Sequence, residues 1–189
     1  WNGLMIAALA KAGRVLEEPK FIDMAIKAQR FIRDNLTNQD GRLLHRYRDG
    51  EAGIQAYLDD YAFTVFGLIE LYQSTFDDDY LQEALHLNSI MMDLFTDQEG
   101  GGFFLSSKDS AATLVRPKDL YDGAIPSGNS VAFYNLVRLS RITGSTTLFE
   151  KAADTARSFQ REIARHASGH SFFLMALNFA LGPSVEIVI

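Results

Sequence analysis

Two adjacent carboxylates, Asp59 and Asp60, stand at the head of a long apolar segment and could take part in acid–base chemistry. They lie in the stretch LDDYAF (58–63), and the residues that follow, 64–72, are nearly all apolar. One explanation is structural, because an aspartate at the start of a helix accepts hydrogen bonds from free backbone N–H groups. The other is catalytic, because glycosyl chemistry needs two carboxyl groups about 5–10 Å apart. Neighbours on a helix point about 100° apart, so we predict that one carboxylate caps the helix and the other faces a cavity.

A carboxylate that could pair with one of these aspartates lies in the stretch PKDLYDGAIPSGNS (117–130). Ser127 and Asn129 are suitable caps where this turn enters the next apolar helix. Capping does not explain why charged and aromatic residues gather just before that helix. These residues are Lys118, Asp119, Tyr121 and Asp122. Such clusters are typical of sugar recognition, so we assign Asp122 as the second catalytic carboxylate. The substrate-binding residues predicted at this end are Lys118, Tyr121 and Asn129. The alternative is a solvated loop with scattered charges.

Further candidates stand near the heads of the other apolar segments. His170 precedes the last one and could act as a base near neutral pH, with a solvent-exposed cap histidine as the alternative. Trp1 and Asn2 stand at the start of the first apolar segment. The face of a tryptophan can pack on a sugar ring, although a residue at the end of a chain can also be merely frayed. Tyr61, which directly follows the aspartate pair, completes the predicted substrate-binding residues.

Other chemistries find no support in the sequence. The spacing of Asp97, Glu99 and glycines 100–102 lacks the ligand series of a calcium loop, so we predict a glycine-rich turn and no metal site. Phosphate-binding loops, nucleophile elbows and zinc patterns are absent from the sequence, so no cofactor is expected. With no cysteine, we expect a reducing, cytoplasmic compartment. A net charge of −6 without a basic run argues against nucleic-acid or membrane partners.

Hydrophobic periodicity predicts seven helices, at 2–16, 19–36, 58–75, 77–96, 128–143, 146–166 and 169–182. The odd-numbered segments are apolar nearly all round, which indicates burial, whereas the even-numbered ones have one apolar stripe and one charged face. This alternation predicts a two-layer helical ring, in which inner helices line the centre and outer helices cover them. Three pairs and a seventh helix make about three and a half hairpins of a ring that needs about six.

Two long loops join outer helices to inner ones, at 37–57 and 97–127, whereas the inner-to-outer links are short. Long loops in a compact domain usually carry function. Each contains a strand-like piece, at 43–47 and 102–105, so we predict short β-hairpin loops on the face where the inner helices begin. His45 and Arg46 could reach that face from the first loop, and an exposed strand is the alternative for them.

Four stretches carry a resemblance to a known family. They are WNGLMIAALAKAG (1–13), YLDDYAFTVFGLIELY (57–72), EGGGFF (99–104) and DGAIPSGNSVAFYNLVRLSRITG (122–144). They resemble the spermatogenesis-associated, YyaL-type proteins that contain a thioredoxin domain. The resemblance implies an all-α fold, with residues 1–182 forming part of an (α/α)6 toroid similar to those of six-hairpin glycosidases and N-acylglucosamine 2-epimerases. It also implies that a thioredoxin-like domain precedes Trp1. The apolar pattern at the end of the sequence separately predicts that a strand begins at 183–189.

Two classes of function follow from this resemblance. The first is a carbohydrate-binding or carbohydrate-acting domain, a glycoside hydrolase or sugar epimerase by analogy of fold, with an acidic and aromatic pocket at the heads of the inner helices. The second is a non-catalytic scaffold or binding domain that accompanies the thioredoxin-like domain, in which Asp59, Asp60 and Asp122 are all used in caps and loop salt bridges. Half a ring has open apolar flanks, so we expect them to pack against the rest of the same polypeptide or to self-associate.

Overall fold

The structure, a computed structural model, describes residues 1–110 and 115–183 and is all-α apart from one β-hairpin. The helices are α1 (Asn2–Val15), α2 (Pro19–Asn35), α3 (Leu58–Thr75), α4 (Asp78–Phe95), α5 (Gly128–Thr143), α6 (Thr146–Arg165) and α7 (Ser171–Leu181), with a 3-10 turn at Ala167–Gly169. These helices lie where the sequence predicts them, and each helix end is within two residues of the predicted one. Apart from Pro183, the strand predicted at 183–189 lies outside the described residues.

Local signals in the sequence set the helix ends. Ser127 and Ser145 cap α5 and α6, each accepting a hydrogen bond on its hydroxyl from a first-turn N–H group. Asp77 caps α4 in the same way through its carboxylate. Pro19 occupies the first position of α2, where the missing N–H would have no partner within the helix in any case. Of these residues, Ser127 is the cap that the sequence predicts for α5.

The inner helices α1, α3, α5 and α7 lie side by side and run in the same direction. The first turn of α1 meets the first turn of α3, because a Cβ on Gly3 would lie 2.4 Å from the backbone carbon of Phe63. Only a glycine permits backbones to approach so closely. The first turn of α3 likewise meets that of α5, where Asp59 lies against Gly128. Adjacent inner helices therefore begin at one common face, which we call the head face.

A buried ion pair joins the inner helices near their other ends. Arg138 of α5 places Nη2 2.8 Å from Oε1 of Glu70 on α3, and both side chains are at most 5% exposed. Arg14 of α1 approaches the second Glu70 oxygen at 3.5 Å. Both arginines also donate to the side-chain oxygen of Gln73. Because last turns contact last turns, the parallel order of α1, α3 and α5 extends along their whole length.

The outer helices cover the inner ones as predicted. Each of α2, α4 and α6 packs on the inner helix that precedes it in the chain, and its apolar stripe is buried there; the buried members are Ala25, Ile32, Ala84, Met91, Ala152 and Phe159. At the end of the series, Phe133 of α5 stacks on Phe173 of α7 with ring centroids 4.6 Å apart. The two-layer arrangement of helices is thereby confirmed.

The two long loops differ in their β-structure. The first contains the antiparallel strands β1 (Leu44–Arg48) and β2 (Glu51–Gln55). They are joined at Asp49–Gly50, where φ is 54° and 86° as a tight hairpin turn requires. Of the second loop, the described part holds only a single bridge, between Thr96 and Phe103. Across residues 1–110 and 115–183, no helix combines the length and apolar character that crossing a membrane requires.

Candidate functional site

Asp59 lies half-buried at the head face, between the first turns of α3 and α5. Its carboxylate accepts a hydrogen bond from the N–H of Gly128. A Cβ on Gly128 would lie 2.2 Å from Oδ1 of Asp59, so only glycine leaves room for this carboxylate. Burial, and then the negative charges of Asp60 and Asp119, raise the pKa of Asp59 to about 6. A carboxyl group with such a pKa can exchange its proton near neutral pH, as a general acid or base must.

Asp60 caps α3. Its Oδ2 accepts a hydrogen bond of 2.8 Å from the N–H of Tyr57, the residue that precedes the helix. The same oxygen lies 2.8 Å from Nδ1 of His45 on β1. The two adjacent carboxylates thus have different partners, as the 100° rotation between them requires. A site role for either of them stays a prediction.

A cleft of about 250 Å³ opens at the head face between α1 and α3. Its polar and aromatic lining comes from Trp1, Asn2, His45, Asp60 and Thr64. The cleft therefore brings together three of the predicted site residues, Trp1, Asn2 and Asp60. Asp59 does not line this cleft, and the carboxylate that does is the capping one, Asp60. That Asp59 faces the central cavity of the ring stays a prediction.

Asp122 is buried and hydrogen-bonded within the chain and does not face an open mouth in this structure, and its catalytic role stays a prediction. It is 8% exposed, and its Oδ1 accepts a 2.9 Å hydrogen bond from the N–H of Ser127. Oδ2 accepts from the N–H groups of Phe172 and Phe173, at 2.8 and 3.0 Å. Asp122 therefore caps α7 and closes the turn before α5, and its two oxygens are both engaged.

His170 and Tyr61 are also buried rather than exposed at the head face. Nδ1 of His170 lies 3.0 Å from the carbonyl oxygen of Leu120, and the side chain is almost fully covered. Because a carbonyl can only accept, this nitrogen carries the proton. The Tyr61 hydroxyl accepts a 3.0 Å hydrogen bond from the N–H of Leu43, and its ring is in the core. Neither side chain is open to the head face in this structure, and the site roles assigned to them stay predictions.

Asn129 lies fully buried at the start of α5, and its assignment to substrate binding stays a prediction. Its amide oxygen accepts from the N–H of Phe103, and its amide nitrogen donates to the Phe103 carbonyl oxygen. The same nitrogen donates to the carbonyl oxygen of Asp119 at 2.8 Å. Asn129 therefore anchors the second long loop to α5.

Lys118 is bound within the second long loop. Its Nζ donates to Oδ2 of Asp97 at 2.7 Å and to the carbonyl oxygen of Gly101 at 3.0 Å. Burial would raise the pKa of Asp97, but hydrogen bonds from the N–H of Gly100, from Lys118 and from a second N–H outweigh it and lower that pKa to about 2. The turn is thus the glycine-rich one that the sequence predicts. Tyr121 remains exposed, so its substrate-binding role stays a prediction.

The pairing of His45 with Asp60 is the feature that sequence reasoning missed. The sequence assigns His45 to the first long loop and Asp60 to the head of α3, but it does not show that they are in contact. The fold of the hairpin against α3 brings the two residues together. Recognising β2 as a second strand that returns the chain towards α3 would have pointed to this contact. No other signal in the sequence links the two residues.

The comparisons with known proteins agree with this fold. No family model matches the chain. The chain is 35% identical over 175 residues to spermatogenesis-associated protein 20 from Rattus norvegicus, a match that covers 87% of this chain. It spans only 22% of the length of that relative.

Two solved structures show the same architecture. The cellobiose 2-epimerase from Spirochaeta thermophila matches with a TM-score of 0.70 at 20% identity, over 87% of this chain and 43% of the epimerase chain. The unsaturated glucuronyl hydrolase from Bacillus sp. GL1 matches with a TM-score of 0.71 at 14% identity, over 94% of this chain and 56% of the hydrolase chain. At such identities the likeness concerns the fold alone. From its curated relatives and its helix arrangement, the chain belongs to the spermatogenesis-associated protein family and carries part of an (α/α)6 toroid.

Proposed function

We propose that this toroid segment contributes to a carbohydrate-binding or carbohydrate-acting site at the head face. The observation that carries the proposal is Asp59, a half-buried carboxyl group whose pKa is raised to about 6 at the start of α3. The two solved structures named above are described as an epimerase of cellobiose and a hydrolase of unsaturated glucuronyl groups. A toroid of the same fold with a proton-exchanging carboxyl group at the helix heads is suited to related chemistry.

In this proposal Asp59 transfers a proton to or from the bound sugar, a step that hydrolysis and epimerisation share. The second carboxylate of the reaction is not Asp122, because the oxygens of Asp122 accept hydrogen bonds from the backbone before α5 and at the start of α7. Asp119 is the better placed carboxylate, because it is exposed and its charge already acts on Asp59. Trp1 and Asn2, which line a cleft on the other side of the α3 head, then contact a further part of the same substrate.

The test is the Asp59→Asn variant of the natural full-length polypeptide. Turnover would be measured on a panel of reducing sugars and glycosides, beside thermal melting. We expect the variant to lose a factor of about 10²–10⁴ in rate while it remains folded. Asp23→Asn, which removes an exposed carboxylate from α2, is the matched control and should leave the rate unchanged. If the parent protein neither binds nor converts any sugar, the proposal is wrong.

A second candidate function is a non-catalytic scaffold for a thioredoxin-like domain in the same polypeptide. The observation that favours it is that Asp60, Asp122, Asn129 and His170 are all hydrogen-bonded within the chain. In that case Asp59→Asn changes stability and no sugar binding is found. Deleting the toroid segment should then destabilise the thioredoxin-like domain, as measured by its own melting transition.

The rest of the same polypeptide is the partner that we propose for the flanks of the segment. Large apolar side chains are exposed on the first and last inner helices, namely Met5, Met175 and Leu181, at 59%, 41% and 79%. Further helix pairs that extend the ring would cover them, and without such pairs the segment should self-associate. The cytoplasmic location predicted from the sequence also stays a proposal.

A further inference from the structure

We propose that the cleft between the heads of α1 and α3 binds a single sugar ring, and that His45, oriented by Asp60, accepts a hydrogen bond from one of its hydroxyl groups. This inference rests on the proposed function and adds to it a defined subsite and a residue that binds substrate. It depends on three observations: the hydrogen bonds that fix the imidazole, the residues that line the cleft, and the separation of this cleft from Asp59.

The hydrogen bonds of Asp60 determine which imidazole nitrogen carries a proton. Its Oδ2 accepts from the N–H of Tyr57 at 2.8 Å, so the carboxylate is an acceptor on that oxygen. Nδ1 of His45, 2.8 Å from the same oxygen, must therefore be the donor. In the neutral ring Nε2 is then an acceptor. It makes no hydrogen bond to any part of the chain that the structure describes, and so it is available to a ligand.

The orientation of the imidazole is also restricted by packing. The ring of Tyr57 meets the His45 ring edge-on, with centroids 5.2 Å apart and planes at 79°. Asp60 is itself held by the first turn of α3, with its side chain 23% exposed. A base that is aligned by a carboxylate, which is aligned in turn by the backbone, is the arrangement that enzymes use to hold a histidine ready for a substrate hydroxyl.

The size and lining of the cleft suit one sugar ring. Its volume of about 250 Å³ lies just below the range of about 300–1,000 Å³ usual for ligand pockets. Hydrogen-bonding groups come from Asn2, His45 and Thr64. Apolar surface comes from the rings of Trp1 and Phe63 and from aliphatic side chains at the end of α2 and in the first long loop, namely Ile32, Leu36, Leu43 and Leu44. A sugar ring presents hydroxyl groups at its edge and C–H groups on its faces, so it needs this combination of polar and aromatic contacts.

The cleft is separate from the carboxyl group proposed for proton transfer. Asp59 lies on the other side of the first turn of α3, against Gly128 of α5, and it is not part of the cleft lining. One helix head thus directs Asp60 towards α1 and Asp59 towards α5. Changes at His45 should therefore affect binding in the cleft without removing Asp59, which allows the two proposals to be tested independently.

The experiment measures monosaccharide binding by two variants of the natural full-length polypeptide. The probes are glucose, mannose, N-acetylglucosamine and glucuronate, titrated by calorimetry. His45→Asn keeps an N–H donor for Asp60 near the Nδ1 position and removes Nε2. We expect it to weaken binding about tenfold or more, as loss of one hydrogen bond implies, with an unchanged melting temperature. His86→Asn, at an exposed histidine on α4, is the matched control and should bind as the parent does.

A second measurement keeps the test decisive if His45→Asn fails to fold. Nitrogen NMR of the parent protein should show a protonated Nδ1 at His45, and the Nε2 resonance should move when a bound sugar saturates the protein. A sugar that binds without moving this resonance, or that binds His45→Asn as tightly as the parent, overturns the inference but leaves the proposed function intact. If no probe binds the parent at all, the inference and the proposed function both fail.

Discussion

Asn129 binds the backbone of Phe103 from both sides, donating to its carbonyl oxygen and accepting from its N–H, each at 2.9 Å. Both residues are fully buried. The side-chain amide therefore takes the place of a neighbouring strand for Phe103 and holds the second long loop on the head of α5. Because Phe103 is sealed from water, loss of this amide would remove the partners that its N–H and carbonyl groups have in this structure.

Replacing this amide should therefore be costly. We expect Asn129→Ala to lower the free energy of unfolding by about 2–5 kcal/mol, because two buried backbone groups lose their partner. Urea denaturation measures the difference. Asn178→Ala, at an exposed position of α7, is the control and should cost little. A loss at Asn129 no larger than that of the control would mean that water or a rearranged loop satisfies Phe103.

Asp122 is expected to determine the stability of α7. Asp122→Ala removes the acceptor of three backbone N–H groups, at 127, 172 and 173. The cost should be about 2–4 kcal/mol, above that of an exposed cap. Hydrogen exchange should show faster exchange at 172 and 173 than in Asp119→Ala, which loses a single exposed turn contact. Equal protection of α7 in both variants would contradict the cap assignment.

The ion pair of Arg138 and Glu70 can be tested with a double-mutant cycle. Arg138→Met leaves Glu70 charged in a buried position, so we expect a loss of about 3–5 kcal/mol. The double variant with Glu70→Leu should lose much less than the sum of the two single variants. Arg157→Met on α6 breaks an exposed pair with Asp154 and should cost under about 1 kcal/mol. Additive losses at Arg138 and Glu70 would show that the pair is not coupled.

The raised pKa of Asp59 predicts how stability depends on pH. In the unfolded chain this carboxyl group has its ordinary pKa of 3.8, and in the fold its pKa is about 6. Between these values the folded state binds more protons, so its stability should fall as pH rises from about 4 to 6. The free energy of unfolding should decrease by about 3 kcal/mol in total, because folding raises the pKa of Asp59 by about two.

Asp59→Asn should remove this decrease, because asparagine stays neutral while its amide oxygen can still accept from Gly128. Chemical denaturation at several pH values between 4 and 7 would compare the variant with the parent. Asp97, whose pKa is lowered to about 2, contributes below this range, because its stabilisation is lost as pH falls from about 4 towards 2. An unchanged slope in Asp59→Asn would refute the assignment.

The helices could be predicted from sequence because their signals are local. Apolar runs such as 61–72, bounded by caps, have one way to satisfy their backbone groups and bury their side chains, and the structure confirms their ends. Helix geometry also indicated that the two adjacent aspartates have different partners, and Asp60 caps α3 while Asp59 accepts from Gly128.

The partners of the site residues could not be predicted, because they are distant in sequence. Asp122 meets the N–H groups at 172 and 173, some fifty residues away, and Tyr61 meets a loop N–H at Leu43. Residues whose types suggest catalysis in the sequence therefore hold distant segments of this structure together. The contact of His45 with Asp60 was missed for the same reason.

The common direction of the inner helices has an electrostatic consequence. Each helix places about half a positive charge at its N-terminus, so four of them put about two positive charges at the head face before any side chain is counted. The carboxylates of Asp59, Asp60 and Asp122 stand at the same face and offset this field. The helix N-termini thus offset part of the negative charge that these carboxylates add to the head face of a chain whose net charge is −6, and an uncharged hydroxylated ligand would approach this face with little electrostatic repulsion.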